Sequence, residues 1–359
     1  MDKKKILFVV ANINITNGVS SFLFNYLKHM NLELFDISIL SSDYSPEESY
    51  VKFCRENDIK LHFLPIISKC GIGQYLKALK EFFKQNNNFD IVYSHVANQA
   101  YFVFKLAKKY NIKVRAIHAH ATKSSDTFIG RLRNSVLNKL MLKYATNKFA
   151  CGKLAGKALF GKNSQFKIIN NAIDYSKFSF KEKDRCSIRK SLHIKDSEIL
   201  LGFVGRFVPQ KNIYFFVELL KMLDNNYKLL MIGSGPLKEK FIYKCKELNI
   251  IDKLVFVDEI DCVNKYYSAM DIFCLPSLFE GLPVVGVEAQ ANGLQCIFSN
   301  NITLESKILE KTKYVPLNID EWVKQIKAST LEHNTDLLST QFNIVEQARI
   351  FEKILLELS

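Results

Sequence analysis

Short apolar runs rich in Ile, Val, Leu and Phe recur along the chain, and segments with helical periodicity separate them. The runs lack strict alternation of apolar and polar residues, which is typical of parallel strands covered on both faces. The first series covers residues 6–11, 35–40, 61–65, 91–95, 114–118 and 148–151. The second series covers residues 167–170, 199–205, 228–233, 254–257, 272–276 and 295–299. The pattern predicts an α/β protein with two doubly wound sheets.

The length of 359 residues fits two domains. A polar stretch over residues 174–195 marks the seam, which predicts one domain over residues 1–178 and another over residues 179–340. Residues 341–359 are expected to form a C-terminal helix that packs back on the first domain. No apolar run reaches the 18 or so residues of a membrane span. The eight cysteines form no C-x-x-C pair, which fits reduced thiols in a cytoplasmic chain.

The positive charge is confined to one half of the chain. The net charge is +14 overall, +15 over residues 1–178 and −1 over residues 179–359. Such an excess indicates that the first half alone meets something anionic. Nucleic acid, an acidic membrane surface and an anionic small molecule all fit this observation.

In open α/β sheets, ligands bind beyond the carboxyl ends of the strands, so the residues that follow each strand are the candidates for chemistry. Arg206 and Lys211 lie between a strand and the next helix, which favours binding of a diphosphate. A solvated charged loop is the alternative. Glycines also occur in the turns that follow strands, where a ligand could approach the backbone closely. Ordinary strand-to-helix turns are the alternative. These glycines are Gly18, Gly205, Gly233 and Gly235.

Two histidines, His118 and His120, end the strand predicted over residues 114–118. At a spacing of two residues they point the same way while the chain is extended. No carboxylate or cysteine lies nearby in the sequence to complete a metal site, so we expect no metal here. Hydrogen bonding to a polar substrate and a purely structural role fit equally well.

Two glutamates lie eight residues apart in a dense motif that begins with Pro276 and Ser277. Glu280 follows a strand, and Glu288 lies at or within the next helix. The intervening turn can aim both carboxylates into one cleft, where they would accept hydrogen bonds from sugar hydroxyls. Two surface glutamates are the alternative.

The spacing of Glu280 and Glu288, with Pro276-Ser277 before it, resembles the signature of glycosyltransferase family 4. Arg206 with Lys211, the Gly233-Ser-Gly-Pro turn, and residues 266–271 match that family in the same order. Residues 118–120 resemble the histidine loop of its exopolysaccharide and capsule subgroup. The resemblance implies the GT-B fold, in which two Rossmann-like domains face each other across a cleft. Asn17 stands where the family more often has glycine.

The resemblance also implies a role for each matching residue. Arg206 and Lys211 would hold the diphosphate of the donor, Glu280 the hydroxyls of its sugar, and Glu288 those of its ribose. His120, with His118 as the alternative, would contact the sugar or acceptor beside the reacting carbon, and Gly18 would line the phosphate pocket. The catalytic set is thus His120, Glu280, Arg206 and Lys211. The donor-binding set is Gly18, His118, Gly205, Gly233, Gly235, Ser277, Gly281, Leu282 and Glu288.

The implied activity is that of a retaining glycosyltransferase, which moves a sugar from a nucleotide sugar to a saccharide acceptor. UDP is the expected carrier because it is the commonest in the family. No metal or other cofactor is expected, and the sequence contains no Asp-x-Asp motif. A nucleotide-sugar epimerase of the same fold and a non-catalytic nucleotide-sugar-binding subunit are the alternatives. Nucleic acid is not an expected partner, because no recognisable binding module accompanies the charge.

A basic helix is predicted over residues 131–144. Its apolar positions at helical spacing are Leu132, Val136, Leu140 and Tyr144, and its basic positions are Arg131, Arg133, Lys139 and Lys143. A helix packed on the core and a helix docked on a membrane both fit this pattern. The charge of the first half favours docking on an anionic surface. We therefore expect peripheral attachment at the cytoplasmic face of the plasma membrane and a lipid-diphosphate-linked acceptor.

Overall fold

The computed structural model describes residues 3–14, 17–42, 46–121, 128–258, 260, 262–333 and 341–358; the side chains of Phe128 and Arg131 are outside this description. The chain divides into two compact units. Unit 1 is Met1–Ala172 together with Ile344–Ser359, and unit 2 is Ile173–Asn343.

Unit 1 contains a seven-stranded, wholly parallel sheet with the strand order β3-β2-β1-β4-β5-β6-β7. Its strands are β1 (Lys4–Val9), β2 (Phe35–Ser41), β3 (Lys60–Phe63), β4 (Ile91–Ser94), β5 (Val114–Ala119), β6 (Asn147–Ala150) and β7 (Lys167–Ile168). Its helices are α1 (Gly18–Leu27), α2 (Glu48–Glu56), α3 (Ile67–Gln85), α4 (Ala97–Lys109), α5 (Phe128–Leu142), α6 (Lys153–Phe160) and, from the end of the chain, α14 (Ile344–Glu357). The order reverses at β1 and β4, which is the doubly wound arrangement.

Unit 2 contains a six-stranded parallel sheet with the order β10-β9-β8-β11-β12-β13. Its strands are β8 (Ile199–Val204), β9 (Tyr227–Ile232), β10 (Leu254–Val257), β11 (Ile272–Leu275), β12 (Gln295–Ser299) and β13 (Lys313–Val315). Its helices are α7 (Tyr175–Phe178), α8 (Glu182–Ser191), α9 (Phe215–Met222), α10 (Lys238–Glu247), α11 (Val263–Ala269), α12 (Val284–Ala291) and α13 (Ile319–Lys327). Its order reverses at β8 and β11.

The C-terminal helix α14 belongs to the core of unit 1. Phe351, which is fully buried, packs its ring 5.2 Å from Tyr26 and 5.5 Å from Tyr93, measured between centroids. The chain leaves and re-enters unit 1 at neighbouring positions, because the amide of Ile173 donates to the carbonyl of Phe342 at 2.9 Å. The two compact units divide at 172/173, whereas the sequence predicts 178/179.

The two predicted parallel sheets are confirmed, with two differences in detail. The strand predicted over residues 167–170 is β7, and it pairs with β6 at the edge of the first sheet rather than opening the second series. β13 was not predicted, because its three residues include an exposed lysine and form no apolar run.

The described residues bear on two further expectations, which concern membrane spans and the cysteines. Within them, no helix combines the length and hydropathy that a membrane span requires. All eight cysteines are free thiols.

Candidate active site

The loops that follow β8 and β11 bring three predicted site residues into direct contact. Lys211 Nζ lies 2.6 Å from Glu280 Oε1, and Ser277 Oγ donates to the same oxygen at 2.8 Å. The side chains of Lys211 and Glu280 are 15% and 9% exposed. Glu280 thus points into the protein and away from bulk water, which the predicted role in a cleft requires and a surface glutamate would not show.

Gln210, which the sequence analysis did not single out, holds these two loops together. Its amide nitrogen donates to the carbonyl of Phe279 at 3.0 Å and to Glu280 Oε2 at 3.2 Å. The backbone carbonyl of Gln210 accepts from the backbone amide of Leu278 at 2.8 Å. Both oxygens of Glu280 are therefore oriented before any ligand binds, which lowers the reorganisation cost of binding.

The turns after β8 and β9 approach each other closely, and glycine is needed for that approach. A Cβ at Gly233 would lie 2.3 Å from the carbonyl oxygen of Gly205, and φ at Gly233 is 134°. A Cβ at Gly235 would lie 2.7 Å from backbone atoms of Phe207. These glycines thus serve packing of one turn against the other, beyond any role in approaching a ligand.

Arg206 differs from Lys211 because it is exposed and has no side-chain partner among the described residues. Arg206 directly follows Gly205, and a Cβ added at Gly205 would lie 3.4 Å from Lys211 Cε. The side chain of Lys211 therefore reaches the backbone next to Arg206. Gly281 and Leu282 are partly buried in the turn that leads from Glu280 to α12.

Glu288 lies within α12, where its carboxylate accepts a hydrogen bond from the hydroxyl of Tyr267 at 2.8 Å. Burial raises the pKa of Glu288 to about 7, although the Tyr267 hydrogen bond and the charge of Lys177 act in the opposite direction. Tyr267 uses one oxygen of Glu288, and no described residue donates a hydrogen bond to both Glu288 and Glu280. The two acids are thus held by separate partners.

In unit 1, the structure adds a third histidine to the predicted pair. His95 follows β4, and its Nδ1 lies 2.8 Å from His120 Nε2, while His118 Nδ1 lies 3.0 Å from the hydroxyl of Tyr93. The rings of His118 and His120 stack with centroids 4.2 Å apart. Sequence reasoning missed His95 because it comes from the neighbouring strand, although its position directly after an apolar run was a usable signal.

The enclosure of this cluster keeps its imidazoles neutral. Burial lowers the pKa of His120 to about 3 and those of His95 and His118 well below the usual value, and each of the latter two is lowered further by its histidine neighbours. All three histidines border one cavity of about 700 Å³ within unit 1. A neutral imidazole can donate one hydrogen bond through one ring nitrogen and accept another through the second.

Gly18 opens α1, whose next residue, Val19, borders the same cavity. The side chain of Asn17 caps the helix by accepting from the amides of Val19 and Ser20 at 2.9 and 3.3 Å. A Cβ at Gly18 would meet nothing within 4 Å. Open space thus lies beside Gly18, but Asn17 already occupies two of the amides that a phosphate would use.

Comparison with known proteins shows that this chain is similar to glycosyltransferases. Residues 184–342 match the family model of the glycosyl transferases group 1. A Bacillus subtilis (strain 168) protein named "Putative glycosyltransferase EpsF" is 28% identical over 310 residues, covering 84% of this chain and 80% of that relative. The Escherichia coli UDP-Gal:alpha-D-GlcNAc-diphosphoundecaprenol alpha-1,3-galactosyltransferase is 24% identical over 302 residues, covering 80% of this chain and 77% of the relative.

Solved structures of other proteins share the fold of this chain. The crystal structure of Anabaena Alr3699/HepE in complex with UDP and glucose superposes with a TM-score of 0.81 at 14% identity, covering 99% of this chain and 100% of that one. The two Rossmann-like units are therefore those of the GT-B fold, and this prediction is confirmed.

Proposed function

We propose that this chain, a glycosyltransferase by its group 1 domain and its relatives, transfers a sugar from a UDP-sugar to a lipid-diphosphate-linked saccharide and retains the anomeric configuration. The contact of Lys211 with Glu280 is the observation that carries the proposal, since it places a cation for phosphate beside a carboxylate for sugar hydroxyls. A nucleotide sugar is the common metabolite that joins these two chemistries.

Lys211 and Arg206 bind the diphosphate of the donor. The exposed Arg206 is available for an incoming anion, and a guanidinium matches two phosphate oxygens at once. As the bond to the anomeric carbon breaks, negative charge grows on the leaving diphosphate. Two cations beside the diphosphate stabilise this charge more in the transition state than in the ground state, and Lys211 is already held in place by Glu280.

The two glutamates recognise the two sugar-like parts of the donor. Glu280, oriented by Ser277 and Gln210, accepts from hydroxyls of the transferred sugar. Glu288 accepts from the ribose hydroxyls of the nucleotide. It keeps one oxygen on Tyr267, so the nucleotide engages the other.

His120 contacts the donor sugar or the acceptor beside the reacting carbon, and the open space beside Gly18 admits the phosphate. Because His120 is neutral at physiological pH, it acts as a hydrogen-bonding group and adds no charge. The acceptor hydroxyl attacks the anomeric carbon from the face that the diphosphate leaves, and its proton passes to the departing phosphate. The products are the glycoside and UDP, and the step needs no metal.

The basic helix α5 supports attachment to a membrane surface. Three of its apolar side chains, Ile129, Leu132 and Val136, are 80%, 64% and 54% exposed. They follow at intervals of three and four residues and therefore share one face of the helix. Arg133 and Lys139 on the same helix are exposed as well, whereas the side chain of Arg131 is outside the described residues. This combination favours an anionic bilayer at the cytoplasmic face over core packing.

The relatives support the choice of donor and acceptor. The E. coli relative is named for UDP-Gal and a diphosphoundecaprenol-linked sugar, and a Staphylococcus aureus relative for capsular polysaccharide biosynthesis. The HepE structure contains UDP and glucose. We therefore place this chain in the synthesis of a bacterial surface polysaccharide.

The test is a screen of nucleotide sugars for thermal stabilisation of the purified protein, followed by product analysis with the best donor. The proposal requires a UDP-sugar to stabilise the protein, and it requires an α-linked product when the donor is α-configured. Inversion of configuration, or conversion of the donor to its epimer without an acceptor, would refute it.

A further inference from the structure

A second cavity of unit 1, with a volume of about 790 Å³, is lined in part by residues that follow β1 and β2. These residues are Asn12 and Ser42. The carboxyl edge of a doubly wound sheet is where ligands bind, and the volume falls within the range of about 300–1,000 Å³ typical of ligand sites. Among the described residues, this cavity shares only Asn98 with the cavity that the three histidines border. It is therefore a separate place for a ligand.

The helices contribute apolar walls to this cavity. The residue before α3 and the first turns of that helix supply three isoleucines, α4 supplies a phenylalanine and α5 supplies a leucine. They are Ile66, Ile67, Ile72, Phe102 and Leu137. No carboxylate lies among the described residues of the lining. Such walls favour a hydrocarbon chain, because removal of apolar surface from water drives its binding.

Helix α3 is interrupted where it borders the cavity. Gly71 has φ 78° and ψ 162°, a conformation that residues other than glycine adopt only under strain. The next residue, Ile72, borders the cavity and is 45% exposed although its side chain is large and apolar. The interruption thus leaves apolar surface of Ile72 accessible to a ligand.

The exposed apolar face of α5 adjoins the cavity. Arg133 and Leu137, which lie one turn apart, border the cavity. Leu132 and Val136, each one residue earlier, are 64% and 54% exposed. One residue turns an α-helix by about 100°, so the exposed side and the cavity side of α5 are adjacent. A hydrocarbon chain that leaves a bilayer docked on α5 therefore has a short apolar path to the cavity.

Arg133 carries the only charge among the described residues that line the cavity. Its side chain is exposed, and its Nε donates to Asn134 Oδ1 at 3.1 Å, which orients the guanidinium. A guanidinium binds two phosphate oxygens at once. Apolar walls with one exposed cation therefore match a hydrocarbon chain that ends in a diphosphate.

We propose that this cavity binds the hydrocarbon segment next to the diphosphate of a lipid-linked acceptor, and that Arg133 binds the diphosphate. The inference rests on the proposed function, which names the class of acceptor but assigns no residue to its lipid. The acceptor lipid is the occupant rather than a bulk phospholipid, because the cavity lies at the carboxyl edge of the sheet, where a substrate is presented. Ile72, Phe102 and Leu137 contact the chain.

The experiment is calorimetry with farnesyl diphosphate, a soluble isoprenoid chain on a diphosphate. UDP is titrated first and then kept at saturation, so that the donor site of unit 2 is filled. Inorganic diphosphate and monomeric dihexanoylphosphatidylcholine are the comparison ligands. The variants are Ile72→Asn and Arg133→Gln. Their matched controls are Leu154→Asn, which is also 45% exposed, and the exposed Arg55→Gln; both lie in unit 1 outside the lining.

We expect about one farnesyl diphosphate per chain for wild type and both controls, and at least about 10-fold weaker binding of the two comparison ligands. Arg133→Gln should weaken farnesyl diphosphate about 10- to 100-fold, because a charged hydrogen bond is lost. Ile72→Asn should weaken it about 3- to 10-fold and leave inorganic diphosphate unchanged, because only apolar contact is lost. Circular dichroism and thermal melting establish that each variant is folded.

A photoreactive benzophenone analogue of farnesyl diphosphate covers the case in which a variant does not fold. It should label residues 66–72 or 133–137 of wild type. No binding of farnesyl diphosphate, unchanged affinity in both folded variants, equal binding of the phosphatidylcholine, or labelling elsewhere would overturn the proposal. Failure of UDP to bind would instead refute the proposed donor, and the labelled residues would still decide whether this cavity takes the chain.

Discussion

Lys211 and Glu280 form an ion pair, with Nζ 2.6 Å from Oε1, in the loops proposed to hold the donor. The same carboxylate accepts from Ser277 and Gln210, so its geometry survives without the lysine. When the donor binds, Lys211 must share its charge between this carboxylate and the diphosphate. The pair therefore couples recognition of the sugar to recognition of the phosphates.

The Glu280→Gln variant separates these two roles. Glutamine still occupies the turn but no longer competes for Lys211, so UDP alone should bind at least as tightly as to wild type. Transfer should fall about 10- to 100-fold, because charged hydrogen bonds to the sugar are worth about 1.5–3 kcal/mol. Calorimetry with UDP and a transfer assay measure the two effects. Loss of UDP binding in this variant would mean that Glu280 serves only to position Lys211.

Glu288 makes the stability of unit 2 depend on pH. Its folded-state pKa of about 7 lies above the ordinary value of 4.5. Its stabilising contribution is therefore complete below pH 4.5 and is lost as the pH rises through 7. Glutamine mimics the protonated acid, so the melting temperature of Glu288→Gln relative to wild type should increase between pH 5.5 and 8. A constant difference across this range would contradict the pKa shift.

The same residue predicts a pH dependence of donor binding. An ionised carboxylate is the better acceptor for ribose hydroxyls, so UDP should bind wild type more tightly as the pH rises through 7. Glu288→Gln should bind UDP about 10- to 100-fold more weakly at pH 8 and lack that dependence. Calorimetry at several pH values measures both, and a parallel dependence in the variant would assign it to another group.

Two glycine-to-alanine variants distinguish a glycine that is needed for close packing from a glycine that faces open space. In Gly233→Ala the new Cβ would clash with the carbonyl of Gly205, so the free energy of unfolding should fall by about 1–3 kcal/mol. In Gly18→Ala the Cβ enters open space, so the change should stay within about 0.5 kcal/mol. Denaturant unfolding measures both. Equal stability of the two variants would contradict the close approach of the turns after β8 and β9.

The exposed face of α5 predicts binding to anionic vesicles. Replacing Leu132 and Val136 by serine removes apolar surface that is already exposed, so the fold should be retained while vesicle binding weakens. Serine at exposed Leu304, in unit 2, is the control. Co-sedimentation at low salt measures binding. No binding by wild type, or equal binding by the double variant, would argue against this face.

The local pattern of residues in the sequence predicted most of the strands and the turn around Glu280. Apolar runs identify strands because both faces of a parallel sheet are buried, as at Ile91–Ser94 and Ile272–Leu275. The dense turn around Glu280 was recognisable because few sequences combine its proline, serine and glycine with two acids. Its contact with Lys211 shows that the turn packs against the one after β8.

What could not be predicted depends on contacts between residues far apart in sequence. His95 and His120 meet only because β4 and β5 are neighbours, which no local spacing encodes. Gln210 carries no motif, yet it orients Glu280 across the fold. The raised pKa of Glu288 arises from burial within α12, which a single helical glutamate does not reveal.

The rate of sugar transfer by Arg206→Ala tests the central claim most directly. Arg206 is exposed and has no side-chain partner among described residues, so its removal should leave the melting temperature unchanged. Exposed Lys221→Ala in the same unit is the control. With a UDP-sugar and a lipid-diphosphate-linked acceptor, Arg206→Ala should lose about 10²–10³-fold in turnover while Lys221→Ala stays near wild type. A folded Arg206→Ala enzyme with near wild-type turnover would contradict the claim that this unit stabilises a departing diphosphate.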